Sequence, residues 1–148
     1  MSVPVHPVDV FLVLTRGEEV LLGCRQGTGY ADGTWNLPSG KLETHEDAVT
    51  GVLREAKEET GILLDPADVR LATVVHHRNA EGAARVGLFF TAVHDPGRHG
   101  EVVNTEPHKC AQLAWFPLGS LPDPTYRYTA AGLHAVQDHA PLRLDGWR

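Results

Sequence analysis

Runs of apolar and β-branched residues predict five strands along this chain. Residues 8–14 form the first run, and residues 20–25 form the second after a short polar turn, so the two predict a β-hairpin. Residues 69–77 and 86–94 predict two more strands joined by a polar loop, and residues 112–117 predict a shorter one. These strands lie on both sides of a long segment with helical spacing.

Two segments have the spacing of helices. Residues 46–60 carry apolar side chains three and four positions apart, and residues 129–139 repeat this spacing near the end of the chain. Thr44, with Asp47 three residues later, resembles a capping box, and Gly61 stands where a glycine ends a helix. The order strands, helix, strands, helix favours an α+β fold, in which a mixed sheet lies between helices as an α/β/α sandwich.

The composition narrows the possible functions. The length of 148 residues fits a single domain, which we expect to span residues 1–148. Lys and Arg total 13 against 19 Asp and Glu, and the net charge of −6 argues against a broad basic face for an extended nucleic acid. Cys24 and Cys110 are too few for a disulfide framework. The sequence has no secretory signal and no apolar run of ~20 residues, so we expect a cytoplasmic protein without a membrane partner.

Three glutamates share one face of the first predicted helix. Glu55, Glu58 and Glu59 are three and four positions apart and lie near the negative end of the helix dipole, where each like-charge pair is unfavourable. Hard carboxylate oxygens on one face suit a divalent cation such as Mg²⁺. Taken alone, however, the three glutamates favour a solvated acidic face over a metal site, because charge runs are usually solvated.

A longer spacing pattern reverses that preference. The residues run Gly40, five residues, Glu46, seven residues, then Arg54, Glu55, Ala56, Lys57, Glu58, Glu59, Thr60, Gly61 and Ile62. This pattern resembles the signature of the Nudix hydrolases at all seven of its fixed positions. A chance match has a probability on the order of 10⁻⁸ per starting point. The resemblance implies a Nudix fold.

The resemblance also assigns roles within the motif. Glu55, Glu58 and Glu59 match the family's metal-binding glutamates, and the carbonyl of Gly40 matches a further ligand. Either Glu55 or Glu59 is a candidate for the base that takes a proton from water. Glu46 and Arg54 match an internal salt bridge that supports the motif without taking part in the reaction.

Residues outside the motif are weaker candidates. Many family members supply another carboxylate from a late loop, and here we favour Glu106 as a metal ligand or catalytic group over its competitor Glu101. Arg25, Lys41 and Tyr30 are candidates for substrate binding, with ordinary surface positions as the alternative.

The resemblance implies an Mg²⁺-dependent pyrophosphohydrolase, with Mn²⁺ as a second possible cofactor, that acts on a small nucleotide. A nucleoside or deoxynucleoside triphosphate is the leading expectation. The alternatives are ADP-ribose, a nucleotide sugar or a dinucleoside polyphosphate, and a nucleotide sensor without catalysis is the third reading. A homodimer is implied only because family members often form one.

Overall fold

The computed structural model describes residues 2–147, in which a mixed sheet is combined with a few helices. The strands are β1 (Val8–Arg16), β2 (Glu19–Arg25), β3 (Trp35–Asn36), β4 (Ser39–Lys41), β5 (Arg70–Arg78), β6 (Ala84–Val93), β7 (Cys110–Pro117) and β8 (Leu142–Asp145). The helices are α1 (Ala48–Thr60), α2 (Pro96–His99) and α3 (Arg127–Gln137), with a 3₁₀ turn at Pro66–Asp68. None of the described helices is long and apolar enough to cross a bilayer.

The sheet has parallel and antiparallel neighbours. Its main order is β3-β2-β1-β6-β5-β8, with β4 paired to β1 and β7 paired to β2. Strands β1 and β6 are parallel, as are β5 and β8, whereas the β1–β2 and β5–β6 pairs are antiparallel. The predicted β1–β2 hairpin is therefore present, the strands β5 and β6 form a second antiparallel pair, and long connections bring all of them into one sheet.

Both faces of the central strand β1 are buried, because helices cover both sides of the sheet. Val10 and Leu12 pack with Val52 on the α1 side. Phe11 packs with Leu133 on the α3 side. Residues 10–14 of this strand are all apolar and pack alternately against the two layers, which is what a strand between two layers requires. The predicted α+β fold with a sheet between helices is confirmed.

Helix α1 begins at Ala48, and its first turn differs from the prediction. The Asp47 carboxylate, not Thr44, caps the helix by accepting a hydrogen bond of 2.9 Å from the Thr50 amide. The predicted Thr44 cap is wrong because the helix starts at residue 48 and not at residue 46 as predicted. Asp47 is therefore the residue that reaches the free amides of the first turn. At the other end Gly61 has a φ of 75° and donates to the Lys57 carbonyl, as predicted.

Several short elements were not predicted. Residues 39–41 form β4 and pair with β1, where Gly40 lies opposite Val10. Helix α2 covers four residues, and β8 is a four-residue edge strand parallel to β5. The pairing of β4 with β1 matters most for function, because it carries Gly40 to the carboxylates of α1.

Candidate active site

One cavity of about 730 Å³ collects the predicted carboxylates. Glu55, Glu58 and Glu59 reach it from α1, and Glu106 reaches it from the loop before β7. The cavity is closed on other sides by the end of β2, the segment around Pro38 and the loop at residues 106–110. The structure therefore brings together four acidic side chains that lie up to 51 positions apart in the chain (55 to 106).

Gly40 lets the backbone approach the most buried of these acids. Glu55 is only 8% exposed. A Cβ built on Gly40 would overlap the Glu55 carboxylate, so any side chain at position 40 would occupy the place of that group. The glycine is needed here for close approach, since its φ lies outside the left-handed region.

Arg54 holds the acidic cluster together. Its guanidinium makes two hydrogen bonds to Glu46, of 2.6 and 2.9 Å, and both side chains are largely buried. This is the predicted ion pair between the motif's loop and its helix, and it keeps the pKa of Glu46 below its usual range. The remaining nitrogen, Nη1, contacts Glu55 at 2.8 Å and Glu58 at 3.2 Å. One cation thus balances several carboxylates.

Glu59 also lines the cavity and differs electrostatically from the other glutamates of α1. Burial raises the pKa of Glu59 well above its usual range, and so do the negative charge of Glu55 and the hydrogen bond that a protonated Glu59 donates to the Glu55 carboxylate. The Ser39 amide donates to the Glu59 carboxylate at 3.4 Å and acts in the opposite direction. Two carboxyl groups in hydrogen-bond contact require a proton between them, and a cation can take the place of that proton.

The donor set fits a hard divalent cation, although no three His, Cys, Asp or Glu side chains of residues 2–147 are preassembled around one position. Arg54 Nη1 lies 2.8 Å from Glu55 and 3.2 Å from Glu58, so one guanidinium holds two of these carboxylates. Glu55, Glu58, Glu59 and Glu106 supply carboxylate oxygens to this cavity, and such oxygens suit Mg²⁺ and Mn²⁺.

The two candidate acids of the late loop have different surroundings. Glu106 lines the cavity of the helix glutamates, and its negative charge contributes to the raised pKa of Glu59. Glu101 lines a separate cavity of about 450 Å³ beside His94 and Trp115. The structure therefore places Glu106, and not Glu101, with the acids of the motif.

The candidates for substrate binding are only partly brought to the site. Arg25 lines the cavity, but its guanidinium donates to the Thr28 hydroxyl at 3.2 Å and to the Tyr30 carbonyl at 3.1 Å. Tyr30 lies outside the cavity wall, where its hydroxyl contacts that of Tyr126. Lys41 is exposed and also lies outside the wall.

Sequence reasoning missed two polar residues of the cavity wall. Lys109 is exposed at the rim, close in sequence to Glu106. Asn36 is buried, and its carbonyl oxygen accepts from the Leu37 amide at 2.8 Å and from the Thr129 hydroxyl. The basic pair at positions 108 and 109, directly after the predicted acid and proline, was a usable signal for Lys109. No local pattern pointed to Asn36, because its partner is 93 positions away.

Comparison with known proteins agrees with this geometry. The chain is 32% identical over 133 residues to the 8-oxo-dGDP phosphatase NUDT18 of Mus musculus, an alignment covering 88% of this chain and 37% of the mouse protein. It is 32% identical over 105 residues to the putative 8-oxo-dGTP diphosphatase 3 of Mycobacterium tuberculosis, covering 70% of this chain and 46% of that protein. The chain thus spans less than half the length of these curated relatives.

The fold is also found among solved structures. A MutT NUDIX hydrolase from Burkholderia pseudomallei superposes with a TM-score of 0.78 at 31% identity, covering 88% of this chain and 98% of that one. The family model of the NUDIX domain matches residues 5–135, which include every strand and helix that lines the cavity. With the family model matching most of the chain and the motif's glutamates gathered in one cavity, the chain belongs to the Nudix family.

Proposed function

We propose that this chain forms one Nudix domain that hydrolyses a phosphoanhydride bond of a small nucleotide, with Mg²⁺ or Mn²⁺ as cofactor. The observation that carries the proposal is the meeting of Glu55, Glu58, Glu59 and Glu106 in a single cavity. A cavity of about 730 Å³ is of the size that small-molecule sites have, ~300–1,000 Å³.

The roles of the residues follow from their places. Glu55, Glu58 and Glu59, with the Gly40 carbonyl and Glu106, would hold the metal ion. Bound there, the ion would neutralise charge that develops on the pyrophosphate. Arg54 orients Glu55 and Glu58 while Glu46 fixes its guanidinium from behind.

Hydrolysis also needs a group that takes a proton from water. In the proposed reaction a water oxygen attacks phosphorus, the phosphoanhydride bond breaks, and the proton of the water passes to a carboxylate. Glu55 and Glu59 on the helix and Glu106 on the loop are the acids of the cavity in reach of this role. Variants at each position, assayed separately, distinguish the base from the metal ligands.

The substrate we favour is a purine nucleoside triphosphate or diphosphate, with oxidised deoxyguanosine nucleotides as the first to test. The mouse and mycobacterial relatives carry names for 8-oxo-dGDP and 8-oxo-dGTP chemistry. The net charge of −6 disfavours a long nucleic acid, whereas the ammonium of Lys109 at the cavity rim offers a local partner for a phosphate chain.

The test is a nucleotide panel assayed with Mg²⁺ and with Mn²⁺, with the products identified. The panel contains normal and oxidised nucleoside di- and triphosphates and ADP-ribose. Glu58→Gln should lower kcat/KM on the order of a hundredfold. Glu101→Gln is the matched control, since that acid faces the other cavity, and it should keep full activity.

Each result of this panel decides between readings. Equal turnover by the wild type and Glu58→Gln, or no turnover with either metal, would overturn the proposed function. Tight nucleotide binding without turnover would favour a sensor. Turnover of ADP-ribose alone would replace the proposed substrate class by nucleotide sugars, with the metal-dependent reaction unchanged.

A further inference from the structure

The loop that carries Glu106 is attached to the end of helix α1. The last carbonyls of a helix have no partner within it and need one from outside. Here the Val103 amide donates to the Thr60 carbonyl at 2.8 Å, and the Thr105 hydroxyl donates to the Glu58 carbonyl. The methyl group of Thr105 also lies over Gly61. The loop therefore caps the same turn of α1 that bears two of the candidate metal ligands.

Asn104 fixes the backbone of Glu106 from the other side. Its carbonyl oxygen accepts from the Glu106 amide at 3.2 Å, and its amide nitrogen donates to the Cys110 carbonyl at 2.8 Å. The Glu106 carbonyl in turn accepts from the amides of Lys109 and Cys110, both at 2.9 Å. Both backbone polar groups of Glu106 are thereby fixed, and the loop is closed onto the first residue of β7.

These two attachments act on one side chain. Thr105 donates a hydrogen bond to Glu58, a residue of α1 whose carboxylate lines the cavity, and the next residue along the loop is Glu106. Asn104 sets the direction in which the chain leaves that contact. A carboxylate that meets three others at a metal must be held to a fraction of an ångström, and a loop alone does not hold it so.

We propose that Asn104 and Thr105 are positioning residues, which hold the Glu106 carboxylate against the glutamates of α1 during the reaction. This inference rests on the proposed function. In this arrangement Glu106 is a fixed member of the site, and the hydrogen bonds of Asn104 and Thr105 position its carboxylate.

The test compares variants that differ by one hydroxyl group. Thr105→Val removes the donor and keeps the shape, whereas Thr105→Ser keeps the donor. Thr91→Val is the control, because it removes a similar hydroxyl-to-carbonyl bond of 3.4 Å on β6, away from the cavity. We expect Thr105→Val to lower kcat about tenfold, Thr105→Ser to restore most of it, and Thr91→Val to leave it unchanged.

A second readout follows the loop itself and is independent of turnover. Amide hydrogen exchange of residues 101–109, measured without metal or nucleotide, should be faster in Thr105→Val and normal in Thr105→Ser. Asn104→Ala, which keeps the Thr105 contact, should also speed exchange and lower kcat. This variant keeps the proposal testable if Thr105→Val folds poorly.

The decisive comparison is made in a Glu106→Gln background. If Thr105 acts through Glu106, adding Thr105→Val to Glu106→Gln should change kcat by less than about twofold. Equal losses in the two backgrounds, full activity of Glu106→Gln alone, or a loosened loop with unchanged kcat would each overturn the positioning role. These failures are distinct from failure of the proposed function, which Glu58→Gln reports.

Discussion

Replacing Gly40 by alanine tests the close approach of β4 to helix α1. The new Cβ would meet the Glu55 carboxylate, with all three of its carboxyl atoms within 2.9 Å. The φ of Gly40 is one that alanine also adopts, so the substitution adds no backbone strain. Its effect therefore reports the contact between Gly40 and Glu55.

The magnitude follows from the space available. Non-bonded heavy atoms settle at about 3.5 Å, so the carboxylate must retreat by roughly 1 Å or more. A misplacement of that size costs about a hundredfold in rate, which corresponds to ~2.7 kcal/mol of activation free energy. The displaced Glu55 carboxylate would also lose its contact of 2.8 Å with Arg54 Nη1. We therefore expect both metal affinity and kcat to fall in Gly40→Ala.

The assay measures kcat and KM on the best nucleotide of the panel, and Mn²⁺ affinity by calorimetry without nucleotide. Gly119→Ala is the matched control, since a Cβ there meets nothing within 4 Å. We expect Gly119→Ala to behave as the wild type. Activity of Gly40→Ala within about twofold of that control would refute the role of this contact.

Three further predictions concern the core and the rim of the cavity. Thr73→Val should raise the free energy of unfolding by about 1 kcal/mol in urea titrations, because its hydroxyl is the one buried side-chain polar atom of residues 2–147 without a hydrogen-bond partner; Thr129→Val, which loses its bond to Asn36, should lower it. Gly132→Ala should lower the melting temperature by roughly 2–10 °C through overlap of its Cβ with the Phe89 ring, and an unchanged melting temperature would contradict that packing. Lys109→Met should raise KM for a triphosphate about tenfold with a smaller change in kcat, and unchanged steady-state kinetics would remove Lys109 from the substrate site.

Local patterns predicted the parts of the fold that depend on local physics. Strand β1 was visible as a continuous run of apolar and β-branched residues, and helix α1 was visible because its apolar spacing matches the helical period. Gly61 ends the helix as predicted, because glycine adopts the left-handed conformation required there at the lowest steric cost. The Glu46–Arg54 pair was also predicted, although only the resemblance to a family linked residues eight positions apart.

The remainder depends on pairing between distant segments. Ser39 and Gly40 are residue types that favour turns, so no local pattern predicts the strand at residues 39–41, and it is their pairing with β1 that decides their conformation. Tyr30 was a candidate for substrate binding. Its hydroxyl contacts that of Tyr126, 96 positions away, and the Arg25 guanidinium lies over its ring, so its direction is set by contacts that no local pattern contains.

The acidic charge of the chain takes on a specific meaning at this site. Six of the 19 acids fall within residues 43–59, and three of them share a helix face on which like charges repel. Arg54 offsets this repulsion, but it commits two nitrogens to Glu46 and leaves Nη1 for the others. This single guanidinium therefore offsets part of the repulsion within the cluster but does not neutralise the charge of all its carboxylates. In the proposed reaction an anionic nucleotide would approach this face together with a divalent cation, so the acids that repel the substrate alone would provide its binding site once that cation accompanies it.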